Sequence, residues 1–122
     1  MQYNESAENY LETILMLSKK LPVVRAVDIA NELGYKKSSV SIAMKHLREK
    51  EHITVSDAGF ITLTESGRAI ADMIFERHEI LTSVLTTLGV PEDIASEDAC
   101  RIEHVISPES FEALKEHFIK HS

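Results

Sequence analysis

Three residues near the C-terminus have the types and the spacing of metal ligands. Cys100, Glu103 and His104 form the pattern C-x-x-E-H. On an α-helix, positions i, i+3 and i+4 share one face, so a thiolate, a carboxylate and an imidazole would converge there. This mixed donor set suits a divalent transition metal such as Fe²⁺, Mn²⁺, Co²⁺ or Zn²⁺. Taken alone, the triplet is weakly specific, because a single cysteine often serves as a small buried apolar residue.

A second group of functional residues is a basic segment in the first half of the chain. Between Tyr35 and Lys50 there are five basic residues and one acidic residue. The net charge of −7 hides this segment, because residues 1–73 carry nine basic and ten acidic residues whereas residues 74–122 carry four and ten. A local positive patch in an acidic chain favours contact with a polyanion.

Length and composition limit the kind of protein that could position these residues. The 122 residues are 43% hydrophobic and 27% charged, which is typical of a globular domain. One cysteine excludes an internal disulfide and favours a reducing compartment. No apolar run approaches the roughly 20 residues of a membrane span, and no signal-peptide pattern opens the chain. We therefore expect a cytoplasmic, mainly α protein with no membrane partner.

Hydrophobic periodicity and capping residues predict six helices and one hairpin. Ser38 or Ser39 is expected to cap or open the third helix, Thr64 to cap the fourth and Ser107 to cap the last. The last helix should turn Phe111, Leu114 and Phe118 inward. The helices are expected near residues 6–19, 26–33, 38–50 and 65–88, from Pro91 through His104, and from Pro108 onward, with strands at 53–55 and 60–63.

The order of helix, glycine turn, helix and hairpin predicts a winged helix-turn-helix. Small Ala30 lies four residues before Gly34, so two helices can cross closely at a turn that tolerates positive φ. The second of these helices would enter the major groove of DNA. Ser39, Ser41 and Ile42 are candidates for base edges or thymine methyls, and the candidates for phosphate contacts are Lys36, Lys37, Lys45 and the backbone amides around Ser38.

The chain resembles the diphtheria toxin repressor and manganese transport regulator family. The resemblance rests on Ala99–Val105 (ACRIEHV), on Arg77–Leu81 (RHEIL) and on the winged helix before them, and it covers about Ser6 to Phe118. It implies a winged helix-turn-helix DNA-binding domain over residues 1–73 and a helical dimerisation and metal-binding domain over residues 74–122. The order of elements matches the short members that have no SH3-like domain.

The resemblance implies a metal-activated, homodimeric repressor that binds a double-stranded operator and controls metal-uptake genes. The implied cofactor is Mn²⁺ or Fe²⁺, one or two per subunit, with other divalent transition metals able to substitute. Asn9 stands where relatives have aspartate or methionine, and Cys100 stands where manganese-type members have glutamate, so the metal is left open. The implied ligands are Asn9, Glu12, His78, Cys100, Glu103 and His104.

Ligands from both halves of the chain would link metal binding to DNA binding. The apolar residues of 80–88 together with Phe111, Leu114 and Phe118 are the candidate dimer surface, with a place in the core as the alternative.

Three other functions are weighed against this one. The first is a winged-helix regulator that works without metal or senses oxidation through Cys100. The second is a small metalloenzyme, which is disfavoured because the candidate ligands nearly fill a coordination sphere and no general base stands out. The third is a winged-helix protein-interaction module, which the basic segment disfavours. We expect no enzymatic activity.

Overall fold

Six α-helices and one short hairpin make up the part of the chain that the structure describes, residues 5–121. The structure is a computed structural model, and it confirms the mainly α class and the predicted order of elements. In chain order these are α1 (Glu5–Lys20), α2 (Ala26–Leu33), α3 (Lys37–Glu49), β1 (Ile53–Val55), β2 (Ile61–Leu63), α4 (Glu65–Thr87), α5 (Glu92–Ile102) and α6 (Pro108–His121).

The chain divides into two compact units, and the boundary falls inside α4. The N-terminal unit spans Ser6–Asp72, and the C-terminal unit takes in the residues from Met73 onward. None of the helices within residues 5–121 combines the length and apolarity that a membrane span needs.

The N-terminal unit has its core on the apolar faces that the periodicity predicted. Helix α1 buries Tyr10, Ile14 and Leu17, which lie one or two helical turns apart and so share a face. The buried residues of α2 and α3 are Ile29, Ala30, Val40, Met44 and Leu47.

The turn between α2 and α3 depends on Gly34. This residue is left-handed, with φ 70°, and its N–H donates to the carbonyl of Ala30. A side chain would be strained in this conformation, so glycine is the residue that lets α2 end and the chain reverse.

Helix α3 starts earlier than the serines suggested. Lys36 is the N-cap residue and makes no side-chain capping bond, so neither Ser38 nor Ser39 caps this helix, which opens one residue before Ser38. The chain leaves Gly34 and reaches helical geometry at Lys37, which puts both serines in the first turn. Their hydroxyls are therefore not needed as caps, and both residues are exposed.

The wing is an antiparallel hairpin with Thr54 opposite Thr62. Ile53 and Ile61 are buried, and the backbone N–H of Ile61 donates to the carbonyl of Val24 at 2.7 Å. The hairpin is thus fixed to the segment that precedes α2. At the turn, the Ser56 hydroxyl accepts from the N–H of Phe60 at 3.1 Å.

The start of α4 lies close against the chain that leads into the wing. The Thr64 hydroxyl accepts from the N–H of Gly67 at 3.2 Å, as predicted for the cap, and donates to the carbonyl of Glu51 at 2.7 Å. A Cβ added at Gly67 would lie 2.9 Å from the carbonyl carbon of His52 and would overlap its oxygen. Only glycine allows the helix to approach so closely.

Replacing Gly67 with alanine is expected to destabilise the protein by about 1–3 kcal/mol, because the new Cβ collides with rigid backbone. In an open helix the same change stabilises by roughly 0.5–1 kcal/mol, so the sign of the effect is diagnostic. Urea unfolding followed by circular dichroism measures it. Arg68→Ala at the exposed neighbouring position should change stability little. A Gly67→Ala variant that is more stable than wild type would contradict the packing.

The C-terminal unit packs α4, α5 and α6 around a small apolar core. Its buried residues include Ile74, Leu81, Ala95, Ala99 and Phe111. Ser107 caps α6 as predicted, because its hydroxyl accepts from the N–H of Ser110 at 3.1 Å.

Only Phe111 of the three α6 residues that were expected to face inward is buried. Leu114 is 38% exposed and Phe118 is half-buried, so the inward prediction is wrong for Leu114. The two residues instead line a groove of about 230 Å³ together with Val84 and Leu88 of the α4 end. Phe111 belongs to the core and is not part of a free surface.

Candidate metal centre and DNA-binding surface

The predicted C-x-x-E-H triplet is not carried on one helix. Helix α5 ends at Ile102, and the N–H groups of Val105 and Ile106 both bond to the Ile102 carbonyl. Glu103 and His104 therefore lie in the turn that joins α5 to α6, and the prediction that the helix continues through them is wrong. Both residues are buried, whereas Cys100 is exposed. The i, i+3, i+4 spacing therefore does not explain the positions of these three side chains.

Arg77 on α4 fixes this turn. Its guanidinium Nη1 donates to the carbonyls of Glu103 at 3.1 Å and Ile106 at 3.0 Å. The same guanidinium lies 5.5 Å from the centre of the Phe111 ring, within the range of a cation–π contact. The carbonyls that a longer helix would have used are thus bonded to a buried arginine. This arrangement explains why the backbone turns after Ile102.

Replacing Arg77 with methionine is expected to cost about 2–3 kcal/mol, because it leaves two carbonyls of the turn without their charged donor. Methionine retains most of the apolar stem, so the drop in stability reports the loss of the guanidinium, with its two hydrogen bonds and its contact with Phe111. Urea unfolding measures the change. Arg101→Met is the control, since Arg101 is exposed and pairs with Glu97 on the same helix. Equal, small decreases for both variants would show that Arg77 does not hold the turn.

The Glu103 carboxylate lies between two imidazoles. Its Oε1 is 2.7 Å from Nδ1 of His78, and its Oε2 is 3.6 Å from Nε2 of His104. The side chain is fully buried, at 0% exposure. The structure therefore brings together three of the six predicted ligands: His78 from α4 and Glu103 and His104 from the turn.

Hydrogen bonds orient the His78 ring. Its Nδ1 is 2.7 Å from Oε1 of Glu103, and its Nε2 is 3.3 Å from the Ser96 hydroxyl. Secondary hydrogen bonds of this kind hold ligand imidazoles in place in metal sites.

Burial lowers the pKa of the His104 imidazole below its ordinary value. The low-dielectric surroundings disfavour the charged ring, so His104 is neutral at pH 7. A neutral imidazole is the form that coordinates a metal.

One buried carboxylate oxygen has no hydrogen-bond partner among residues 5–121. This atom is Oε2 of Glu103. A buried carboxylate oxygen without a donor is costly, and a divalent cation is the natural counterpart for it. The donor set of one carboxylate and two imidazoles suits Mn²⁺, Fe²⁺ or Zn²⁺. The residues present therefore fit a divalent metal ion.

The remaining predicted ligands lie on α1 and α5. Glu12 is buried, and Asn9 is half-buried. The backbone carbonyl of Asn9 accepts from the Thr13 hydroxyl at 2.8 Å. Cys100 is exposed and forms no disulfide.

The predicted DNA-contacting residues all lie on the exposed side of α3 and its N-terminus. Ile42 is apolar but 60% exposed, because the buried face of α3 is formed by Val40, Met44 and Leu47. All seven are exposed: Lys36, Lys37, Ser38, Ser39, Ser41, Ile42 and Lys45.

A groove of about 250 Å³ separates α3 from the wing. Lys45 and Arg48 line one wall, and Gly59 of the wing turn lies on the other. Arg48 is exposed, so it adds a second cation to the wall that Lys45 forms. A basic wall beside a recognition helix suits a phosphate backbone.

Sequence reasoning missed two residues that shape these sites. Arg77 was part of the RHEIL motif but was given no role, although an arginine next to a predicted ligand was an available signal. Arg48 was counted in the basic segment, yet only the groove shows that it lies beside Lys45.

A winged helix-turn-helix and a buried carboxylate–imidazole cluster on one chain define a class of protein, the metal-responsive DNA-binding regulators. Comparison with known families makes the class more specific. Residues 2–59 match the iron dependent repressor N-terminal DNA binding domain, and residues 64–121 match the iron dependent repressor metal binding and dimerisation domain. The chain belongs to the iron-dependent repressor family and is a metal-activated transcriptional repressor.

Individual relatives agree with this assignment. The chain is 34% identical over 114 residues to an HTH-type transcriptional regulator of Methanocaldococcus jannaschii, covering 92% of this chain and 91% of that protein. It is 32% identical over 109 residues to the HTH-type transcriptional regulator MntR of Bacillus subtilis, covering 89% and 77%.

Among solved structures, a manganese-dependent transcriptional repressor in complex with manganese aligns with a TM-score of 0.83. The two are 27% identical, and the alignment covers 91% of this chain and 51% of that chain. The chain thus spans about half the length of this structural relative.

Proposed function

We propose that this protein represses metal-uptake genes in the cytoplasm when Mn²⁺ or Fe²⁺ is plentiful, and that Glu103 is the central ligand of its sensing site. The observation that carries the proposal is the buried Glu103 carboxylate, which has an imidazole beside each oxygen and lacks a donor at Oε2 among the described residues. A bound divalent cation would supply a positive partner for the Oε2 atom of this carboxylate.

The proposed ligands are the three residues of this cluster and three more from the resemblance. His78, Glu103 and His104 are supported by their contacts. Asn9, Glu12 and Cys100 are proposed from the family pattern. An Asn9 ligand would be a neutral amide oxygen and a weaker donor than a carboxylate. We propose one or two ions per subunit.

Manganese is the proposed physiological ion, with iron as the alternative. The manganese-dependent structural relative and the carboxylate of Glu103 favour Mn²⁺. The thiol of Cys100 favours Fe²⁺ or a softer ion. Comparing Cys100→Ala with wild type in Mn²⁺ and in anaerobic Fe²⁺ separates these two.

We propose that α3 reads the operator in the major groove. Lys36, Lys37 and Lys45 would contact phosphates together with the amides at Ser38, while Ser39, Ser41 and Ile42 would face the bases. Short hydroxyls and an apolar side chain suit thymine-rich steps better than guanine, which arginine reads bidentately.

The proposed dimer surface is the groove at the end of α4 and along α6. Leu88 is 76% exposed there, and Val84, Leu114 and Phe118 line the groove with it. Exposed apolar residues of this kind are typical of a surface covered by a partner. A symmetric dimer would present two recognition helices to half-sites separated by about one turn of DNA or multiples of it.

Fluorescence anisotropy with the DNA upstream of the protein's own gene tests the function. Binding is measured in chelator, then with Mn²⁺, then with anaerobic Fe²⁺. We expect tight binding only with metal. Equal binding with and without metal, altered by peroxide, would instead favour a redox regulator based on Cys100.

A further inference from the structure

The last helix carries a pair of histidines that the proposed function does not use. His117 and His121 are four residues apart on α6, and their ring centroids lie 4.2 Å apart at an interplanar angle of 45°. Both side chains are exposed. Residues at i and i+4 lie one above the other on a helix face, so the two rings face the same solution volume.

We propose that His117 and His121 form a second metal site, selective for the late first-row ions Ni²⁺, Cu²⁺ and Zn²⁺ over Mn²⁺. Two imidazoles at this spacing can bind one ion together, as the two histidines of a helical zinc motif do. Imidazole suits Zn²⁺, Cu²⁺ and Ni²⁺, whereas Mn²⁺ prefers carboxylate oxygen.

The surroundings of the pair support this selectivity. Besides the two rings, the groove is lined by Val84, Thr87, Leu88, Leu114 and Phe118, so within residues 5–121 no carboxylate lines it. An ion held here would therefore meet two imidazoles, one hydroxyl and apolar walls. The other cluster differs because it offers the Glu103 carboxylate between two imidazoles.

The two sites of the C-terminal unit would then bind different ions, according to the ligand atoms that each ion prefers. The Glu103 cluster accepts ions that take oxygen ligands, including Mn²⁺, and the His117–His121 pair accepts only those with high affinity for imidazole. Both histidines line the groove that is also the proposed dimer surface, so an ion bound by the pair would lie at that surface.

Isothermal titration with Ni²⁺ on the full chain tests the site. Wild type is expected to show a class of Ni²⁺ sites that His117→Ala/His121→Ala lacks. Mn²⁺ binding, followed by the electron paramagnetic resonance of the free ion, should be the same for both proteins. Ni²⁺ binding to the pair should also persist in Glu103→Gln, which removes the ligand of the other cluster.

A spacing control separates chelation from the mere presence of histidine. Glu116→His/His117→Ala keeps the number of histidines but sets them five residues apart, on different helix faces. We expect it to lose the same class of Ni²⁺ sites. Ni²⁺ binding equal to wild type in either double variant would overturn the proposal, with helicity by circular dichroism verifying that α6 is intact.

Discussion

Glu103→Gln is expected to abolish the metal-dependent rise in DNA affinity. Glutamine has the same shape but is neutral, so the site loses the charged ligand between His78 and His104. Couplings between two sites are typically about 1–3 kcal/mol, so wild-type DNA affinity should rise about 5- to 150-fold with metal. In the variant this ratio should fall to about one. Anisotropy titrations in Mn²⁺ and in chelator measure both ratios.

The variant should remain folded, which makes its effect on DNA binding interpretable. Glutamine fills the same buried space, and Oε2 of Glu103 has no donor within residues 5–121, so no hydrogen bond is lost at that atom. Glu97→Gln, at an exposed position on α5, is the matched control. A Glu103→Gln protein that responds to Mn²⁺ as wild type does would place the sensing site elsewhere.

Removing the two positive charges at the start of α3 is expected to reduce the affinity for DNA strongly. Lys36→Ala/Lys37→Ala should weaken binding to all DNA sequences alike, because lysines at a helix N-terminus contact phosphates rather than bases. The slope of log affinity against log salt should fall by about 0.9 for each phosphate that the variant no longer neutralises. Anisotropy at several salt concentrations gives this slope, while Mn²⁺ binding in the absence of DNA should not change.

Lys120→Ala is the control for this experiment, since it removes one charge from the exposed end of α6. Its salt slope should equal that of wild type. An unchanged slope in Lys36→Ala/Lys37→Ala would mean that the N-terminus of α3 does not face the DNA backbone.

The helices and the wing could be predicted because their signals are local. Apolar spacing set the buried faces of α1 and α3, Gly34 required a left-handed turn, and Thr64 and Ser107 cap the helices that follow them. The start of α3 was missed by a residue or two, because Ser38 and Ser39 resemble caps but the backbone reaches helical geometry at Lys37.

The end of α5 could not be predicted from local sequence. Nothing in Arg101–Val105 is a glycine or a proline, so helical periodicity continues through Glu103 and His104. The chain turns because Arg77, more than twenty residues away, donates to the carbonyls of Glu103 and Ile106. A contact between residues so far apart in sequence forms only when the unit is packed, so local sequence patterns do not contain it.

The candidate metal cluster was reached by resemblance more than by spacing. The i, i+3, i+4 argument grouped Cys100 with Glu103 and His104, whereas in the structure Cys100 is exposed, Glu103 and His104 are buried, and His78 contacts Glu103. The RHEIL motif supplied His78. Its distance to Glu103 depends on how α4 packs against the turn, which a linear pattern does not contain.

If Mn²⁺ binding strengthens DNA binding, DNA binding must strengthen Mn²⁺ binding by the same factor. The most direct measurement is the affinity of the protein for Mn²⁺ with and without saturating operator DNA, from the electron paramagnetic resonance of free Mn²⁺. We expect DNA to tighten Mn²⁺ binding by the same factor by which Mn²⁺ tightens DNA binding, and we expect Glu103→Gln to lose both effects. Mn²⁺ affinity that is identical in the presence and absence of DNA would contradict this coupling.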